Sequence, residues 1–510
     1  MVFHSILFEN EDSTQEKILE VPAFFSDLNL DQVVDAITEE KQDYDLNSFF
    51  YTSLKDTGDI RYRQEIFRDM ENEILFEKIK SFAEKMILMR RYLAMIEKLY
   101  FKYHQEGWFL EAALLYCNNV TCLVQDLSLA NLKSRGLLDF REEFTAYAES
   151  ARFTNLKRET AALKESLSKL NYCLIIKGNR VIVQKYESEI DYSKVVEQTF
   201  EKFKQEAARD HRVHLSAQSG MNHIEARILD RVAKLFPDVF RALDNFCEKN
   251  KQFLDPMIGV FDREIQFYVS YLDYIATVRH EALNFCYPKI SNQSKECYGS
   301  ECFDLALAHK RVQEDSTVVC NDFSLQGKER IIVISGPNQG GKTTFARMFG
   351  QLHFLASLGL PVPGKRVQLF LPDMLFTHFE QEENIKNLRG KLQDDLVRIY
   401  NILEQATPDS LIILNEIFTS TTLKDAIFLS KEIFERILAL DALCVCVTFI
   451  DELSSLSEKA ISMVSTVVPE NPALRTFKIL KSPADGLAYA LSIAEKYHLT
   501  YAELMERIKE

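Results

Sequence analysis

The segment Ser335–Thr344, with the sequence SGPNQGGKTT, constrains the fold of this chain more than any other feature. It has the pattern Gly-x-x-x-x-Gly-Lys-Thr, and it stands between the strand-like run Arg330–Ile334 and a segment with helical apolar spacing. A strand–loop–helix of this kind turns backbone N–H groups around a phosphate, and the helix start adds a favourable dipole. The pattern predicts a nucleotide-binding loop. The alternative is a glycine-rich turn without a ligand.

Individual residues of this loop have separate expected roles. Lys342 would neutralise the β- and γ-phosphates of ATP, and the hydroxyl of Thr343 would bind Mg²⁺. The glycines let the backbone approach the phosphates closely. We expect the nucleotide-binding residues to be Gly336, Pro337, Asn338, Gln339, Gly340, Gly341, Lys342, Thr343 and Thr344.

A second strand-like run, Leu411–Leu414, is followed by Asn415 and Glu416. In P-loop ATPases this strand brings an acid to Mg²⁺ and often a glutamate to the attacking water. Glu416 is therefore our candidate general base, acting with Lys342 as the catalytic pair. Its alternative role is that of an acid at a strand end. Asn415 stands where an aspartate is usual, and its amide oxygen would reach Mg²⁺ through a water molecule.

Composition and charge restrict the class of protein. Of 510 residues, 46% are hydrophobic and 27% charged, which indicates a folded chain. The net charge of −15 opposes attraction of the whole molecule to nucleic acid, so any such contact requires a local basic patch. No apolar run reaches the roughly 18 residues of a membrane span. The N-terminal sequence does not resemble a secretion signal, and we expect a cytoplasmic protein with its ten cysteines reduced.

A change of period between about residues 150 and 210 predicts a helical arm with a small β tip. Helical spacing up to Leu170 gives way to two β-branched runs around Gly178-Asn179, which is a two-residue hairpin signal. Helical spacing resumes from Val196 to Ala207. Phosphate contact needs basic side chains and little else, although a solvated surface has the same composition. The candidates for contact with DNA are Lys177, Arg180 and Lys185.

The spacing of apolar residues changes near residue 300. Before it, helical spacing predominates from Asp45. After it, β-branched runs alternate with helices, which indicates a parallel α/β sheet. The segment 286–301, rich in Ser, Asn, Pro and Gly, is the candidate linker. We predict an N-terminal segment at 1–44, a mainly α core at 45–300 and an α/β P-loop domain with a C-terminal helical segment at 301–510.

Several motifs together resemble the ATPase domain of the MutS family, which belongs to the ABC-type P-loop ATPases. They are GPNQGGKTT, the preceding Asn321-Asp322, the later LGLPVPG, ATPDSLIILNEI and Ser420–Thr422, and they cover Asn321 to about Tyr501. The resemblance implies a helical lever and clamp, with the arm as the clamp. It also implies a dimer that encloses DNA and hydrolyses ATP at composite sites. The signature loop completing the partner's site would lie within His378–Asp395.

The sequence also departs from the family pattern. Too few residues precede the core for the usual mismatch-reading domain, so we expect a short member without mismatch recognition. Gly390-Lys391 stands where the signature loop usually has Ser-Thr, and Phe449 occupies the usual switch histidine position. These departures, with Asn415, predict slow hydrolysis. Lys391 is a candidate replacement for the signature serine, although a surface lysine looks the same.

The resemblance implies a homodimeric, ATP- and Mg²⁺-dependent protein that gates a clamp on double-stranded or branched DNA, in DNA repair or recombination, with other repair proteins as further partners. One alternative is an ATPase acting on a ribonucleoprotein such as the ribosome. Another is a nucleotide-binding dimeric scaffold with little hydrolysis.

Overall fold

The structure is a computed structural model that describes residues 5–9, 20–39, 41–188, 195, 199, 220–279, 283–380, 390–468, 470–483, 499–501 and 504–505. Most of the predicted return helix at Val196–Ala207, residues 381–389 of the predicted signature loop and most of the C-terminal helical segment lie outside these residues. None of the described helices combines the length and apolarity needed to cross a membrane.

Helices make up most of the first 280 residues, as the apolar spacing predicts. Some of them begin at a capping side chain: Asn72, Ser150 and Asn222 each accept from a backbone N–H of the first turn that follows. The helices are α1 Phe25–Leu28, α2 Leu30–Thr38, α3 Asn47–Tyr51, α4 Thr57–Asp69, α5 Glu73–Ile96, α6 Lys102–Leu129, α7 Arg135–Glu149, α8 Ala151–Ser168, α9 His223–Leu235, α10 Pro237–Lys249 and α11 Pro256–Val278.

The predicted hairpin between α8 and α9 is confirmed. Strand β1, Tyr172–Lys177, pairs antiparallel with β2, Arg180–Lys185. Gly178 has a φ of 55°, the left-handed conformation that a two-residue turn requires and glycine adopts without strain.

The chain divides into two compact units. One contains the described residues of 72–132 and 138–262, and the other contains those of 4–71, 133–137 and 263–510. The N-terminal helices thus belong to the same unit as the phosphate-binding loop. Buried Arg63 provides one reason, because its guanidinium donates to the backbone oxygens of Leu7 and Leu358 at 2.9 and 3.0 Å.

The helical unit is held by an aromatic core. Phe140 stacks on Phe261 with ring centroids 3.6 Å apart, and Phe82 lies 5.9 Å from Phe261. Arg90 forms a 2.6 Å ion pair with fully buried Asp262, so the buried charge is compensated.

The second unit contains the predicted α/β sheet. The strands of this unit are β3 Phe285–Cys286, β4 Lys289–Ser291, β5 Cys297–Cys302, β6 Asn321–Leu325, β7 Ile331–Ser335, β8 Val362–Pro363, β9 Arg366–Phe370, β10 Leu375–His378, β11 Leu411–Asn415, β12 Leu443–Val447, β13 Ala460–Val468 and β14 Asn471–Lys481. In the α/β sheet, β7, β10, β11, β12 and β13 run parallel and β14 is antiparallel to β13. The order is β10-β11-β12-β7-β13-β14.

Further helices of this unit are α12 Leu305–Gln313, α13 Lys342–Ser357, α14 Lys391–Gln405 and α15 Leu423–Leu440. On one face of the sheet, side chains of β11 and β12 pack with Phe434 and Ile437 of α15 in a buried apolar cluster. The continuous apolar runs of β7, β11 and β12 are explained by this position, because each of these strands is wholly buried.

The linker predicted at 286–301 is wrong. Cys286 ends β3, which pairs with β8, while β4 and most of β5 also lie in the segment and pair with β9 and β6. Polar composition indicated a loop, but backbone pairing and the burial of Cys297 place β4 and β5 in a four-stranded sheet.

Candidate functional site

The predicted phosphate loop lies between β7 and α13. Gly336 and Gly341 have φ values of 110° and 91°, which only glycine adopts readily. At Gly340 the constraint is space, because an added Cβ would lie 2.1 Å from Oγ of Ser465. Ser465 also donates a 2.7 Å hydrogen bond to the backbone oxygen of Gly340. Strand β13 therefore supports the loop from behind.

Lys342, the first residue of α13, reaches back into this loop. Its Nζ donates to the backbone oxygens of Gly336 and Pro337 at 3.0 and 3.1 Å and to Oδ1 of Asn338 at 3.3 Å. The side chain is only 3% exposed, and burial lowers its pKa from the ordinary value. The ammonium lies 4.8 Å from the ring centroid of Phe449, which is a cation–π distance.

Thr343 and Asn415 meet at the base of the loop. The Thr343 hydroxyl donates a 2.9 Å hydrogen bond to Oδ1 of Asn415, the last residue of β11. Two oxygen atoms are thus presented beside the phosphate loop. Magnesium prefers oxygen ligands and retains several of its waters, so this pair fits the metal without a carboxylate.

Glu416 follows directly and has a left-handed φ of 53°. Its backbone N–H donates to the Val447 oxygen at 2.9 Å, which holds this unusual backbone against β12. The carboxylate lies 4.0 Å from Nζ of Lys342. Burial raises the pKa of Glu416, Lys342 opposes that shift, and Glu380 adds to it. A carboxylate whose pKa is raised towards neutrality is suited to accept a proton.

A cavity of about 710 Å³ is lined by residues 339–344 of the loop and by Glu416. Its far side was not predicted from the sequence. It is formed by residues between Leu307 and Asn321, which precede the loop, together with Phe477 of β14. Asn321 holds β14 there, donating to the Phe477 oxygen at 3.1 Å and accepting from Ile479 N–H at 2.8 Å. The lining residues are Leu307, Arg311, Asp315, Ser316, Thr317, Val318, Val319, Asn321, Gln339, Gly340, Gly341, Lys342, Thr343, Thr344, Glu416 and Phe477.

Only the ends of the predicted signature loop are described, since residues 381–389 lie outside. Gly390 precedes α14, and Lys391 forms an ion pair with Glu380 of the same chain. Glu380 also accepts from the Thr419 hydroxyl at 3.3 Å. Lys391 therefore has a structural partner within its own subunit.

The candidate DNA-contact residues lie on the hairpin of the helical unit. Lys177 and Arg180 flank the turn and are exposed. Lys185, at the base, instead extends over the ring of Phe236, with Nζ 5.3 Å from the centroid.

The parallel sheet, the glycine-rich loop and the Asn-Glu pair at the end of β11 define the class as a P-loop nucleotide-binding protein. Residues 332–503 match the family model described as MutS domain V. Over these residues the chain is similar to domain V of the MutS family. That family is one of ATPases.

Curated relatives agree with this assignment. The chain is similar to the DNA mismatch repair protein MutS of Thermotoga neapolitana, at 26% identity over 46% of this chain and 28% of the relative. It is also similar to the MutS proteins of Zymomonas mobilis, at 31% identity over 31% of this chain, and of Chlamydia pneumoniae, at 27% over 37%. These two alignments span 19% and 23% of the relatives. The matches thus cover less than a third of each relative's length.

Proposed function

We propose that this protein is an ATPase that binds duplex or branched DNA and uses ATP to gate a dimeric clamp. The observation that carries the proposal is the convergence of Lys342, Thr343 and Glu416 on a cavity of about 710 Å³, with Asn415 hydrogen-bonded to Thr343. The MutS domain V match and the names of the relatives support the DNA-repair context.

Each of these residues has a separate proposed role in ATP hydrolysis. Lys342 exchanges its bonds to loop oxygens for the β- and γ-phosphates, which compensates their charge. Thr343 and, through water, Asn415 would hold Mg²⁺, which would supply positive charge beside the phosphates. Glu416 orients the attacking water and accepts its proton. The backbone bond from Glu416 to Val447 keeps the carboxylate in place.

The clamp and the composite site are further parts of the proposal. Residues 378–395 of one subunit would complete the nucleotide pocket of a second copy, and the helical unit would carry the arms around DNA. Mismatch reading is not part of the proposed activity. Lys391 is the candidate donor to the partner's γ-phosphate, which requires exchange of its bond to Glu380.

Steady-state ATP hydrolysis tests the catalytic proposal. Glu416→Gln should lower turnover by roughly 100-fold or more, because the amide cannot accept the proton, while binding of an ATP analogue stays near wild type. Glu404→Gln, an exposed position on α14, is the matched control. Equal turnover in Glu416→Gln and wild type would remove Glu416 from the chemistry.

The ligand is tested in the same assay with homoduplex, mismatched and branched DNA, and with ribosomes. Stimulation by DNA supports the proposal. Stimulation by ribosomes alone would mean that the ligand is a ribonucleoprotein and not DNA.

Dimer formation should be followed by size-exclusion chromatography with ATP. If Lys391→Ala forms ATP-dependent dimers as wild type does, Lys391 has no role across the interface.

A slow nucleotide-dependent scaffold is the second candidate function. Two observations favour it: a neutral amide, Asn415, beside Thr343, and a phenylalanine, Phe449, over Lys342. Tight ATP binding and ATP-dependent dimerisation without measurable turnover, with any nucleic acid, would support the scaffold over the ATPase.

A further inference from the structure

The β1–β2 hairpin, Tyr172–Lys185, exposes an apolar face. Cross-strand partners of an antiparallel ribbon lie on the same face, so Ile176 and Val181 stand side by side next to the turn. Their side chains are 73% and 45% exposed, and Tyr172 and Leu174 on the same face are 43% and 46% exposed. A contiguous group of exposed apolar residues of this kind marks an interaction site more often than a solvent surface.

The base of the hairpin is anchored, but the end is not. Val183 packs against the cluster of Val232, Ala233 and Phe240 from α9 and α10. Lys185 lies over Phe236 at the end of α9. These interactions hold the base of the hairpin in position within the helical unit, and Ile176 and Val181 lie beyond them as exposed residues.

The positive charge of the hairpin indicates which kind of partner it fits. Residues 172–185 contain Lys177, Arg180 and Lys185 and no acidic residue, although the whole chain carries −15. Lys177 and Arg180 are direct cross-strand partners on the face opposite to Ile176. The hairpin thus combines an apolar face with cations along its end, and it fits a surface that has an apolar interior and negatively charged edges.

We propose that this hairpin enters the minor groove of duplex DNA, with Ile176 and Val181 against the sugars and a base step and with Lys177 and Arg180 against the bordering phosphates. The inference rests on the DNA binding proposed above. Apolar side chains inserted in this way partly unstack a base step and bend the duplex. The hairpin would therefore recognise deformable or already distorted DNA rather than a base sequence.

The test compares full-length variants for affinity to an end-labelled duplex at several salt concentrations, with end-to-end fluorescence transfer as the readout of bending. Ile176→Ser/Val181→Ser should weaken binding by about tenfold and abolish bending, because the serines bury less apolar surface against the DNA. It should leave the salt dependence unchanged. Lys177→Gln/Arg180→Gln should lower the salt slope by about 0.9 for each phosphate that is no longer neutralised. Distamycin, a minor-groove ligand, should compete with wild type.

Ile74→Ser is the matched control, because Ile74 is 75% exposed on α5 of the same unit. Unchanged affinity and bending in the serine double variant, with a reduced salt slope in the glutamine variant, would overturn the groove insertion and leave DNA binding intact. Absence of duplex binding by wild type would contradict the proposed DNA binding itself. Loss of binding to anionic phospholipid vesicles in the serine variant, with DNA affinity unchanged, would assign the face to a membrane surface instead.

Discussion

The hydroxyl of Thr343 donates a 2.9 Å hydrogen bond to Oδ1 of Asn415, which joins the start of α13 to the end of β11. The bond brings together two residues separated by 72 positions in the sequence. It also presents the two oxygen atoms that we assign to Mg²⁺.

Asn415→Asp should strengthen the metal site. A carboxylate beside Thr343 adds a negative charge that attracts Mg²⁺, and we expect the Mg²⁺ concentration for half-maximal ATP hydrolysis to fall by about tenfold, or roughly 1.4 kcal/mol. A Mg²⁺ titration at saturating ATP measures this. Asn401→Asp places the same charge on the exposed face of α14 and should have no effect. Superimposed titrations of Asn415→Asp and wild type would contradict the assignment.

As the pH is lowered, hydrolysis should begin to decline at a higher pH than it would with a glutamate of ordinary pKa. Glu416 must be ionised to accept a proton, and burial raises its pKa, so kcat falls as the pH drops through that raised value. Glu380 contributes to the shift, and Glu380→Gln should therefore move the acid limb of the kcat–pH profile to lower pH.

Glu404→Gln is again the control for this pH profile, because it removes an exposed carboxylate of the same unit. An acid limb that stays in place in Glu380→Gln, or moves equally in both variants, would show that Glu416 does not determine it.

Gly340→Ala should damage the phosphate loop through Ser465. The new Cβ would lie 2.1 Å from Oγ of Ser465 and 2.9 Å from the Pro337 oxygen, and such overpacking typically costs about 1–3 kcal/mol of folding free energy. Adding Ser465→Ala removes the nearest atom, so the double variant should recover part of the loss. Urea unfolding and ATP-analogue binding measure both effects.

Gly107→Ala serves as the control, because a Cβ at Gly107 meets no atom within 4 Å. Additive losses from Gly340→Ala and Ser465→Ala would mean that the two residues do not interact as the structure indicates.

Glu264 should make stability depend on pH. Burial raises its pKa to about 7, although Ser5 and the Ile6 N–H donate to its carboxylate. Between the usual pKa of 4.5 and about 7, the folded protein holds a proton that the unfolded chain has released. The free energy of unfolding should therefore decrease as pH rises through this window, by up to about 3 kcal/mol.

Glu264→Gln removes the titrating group and should flatten that part of the pH dependence, as measured by urea unfolding at several pH values between 4.5 and 7. The difference between variant and wild type isolates Glu264 from other titrating groups. An equally steep pH dependence in the glutamine variant would show that a group other than Glu264 causes it.

The local elements of this protein follow from its sequence. The glycine pattern of Ser335–Thr344, the buried β-branched runs and Gly178-Asn179 predict the loop, the parallel strands and the hairpin, because each depends on backbone conformation and the burial of neighbouring residues. Those signals lie within a few residues of one another, and they need no knowledge of distant partners.

Only the tertiary structure determined which residues far apart in the sequence come into contact. The polar segment 286–301 became sheet because β9 and β6 supply partners for its backbone. Ser465 reached the phosphate loop through β13, Phe477 reached the cavity through β14, and Lys185 came to lie over Phe236. No local pattern encodes these pairings, because each depends on which surfaces are brought together when the whole chain packs.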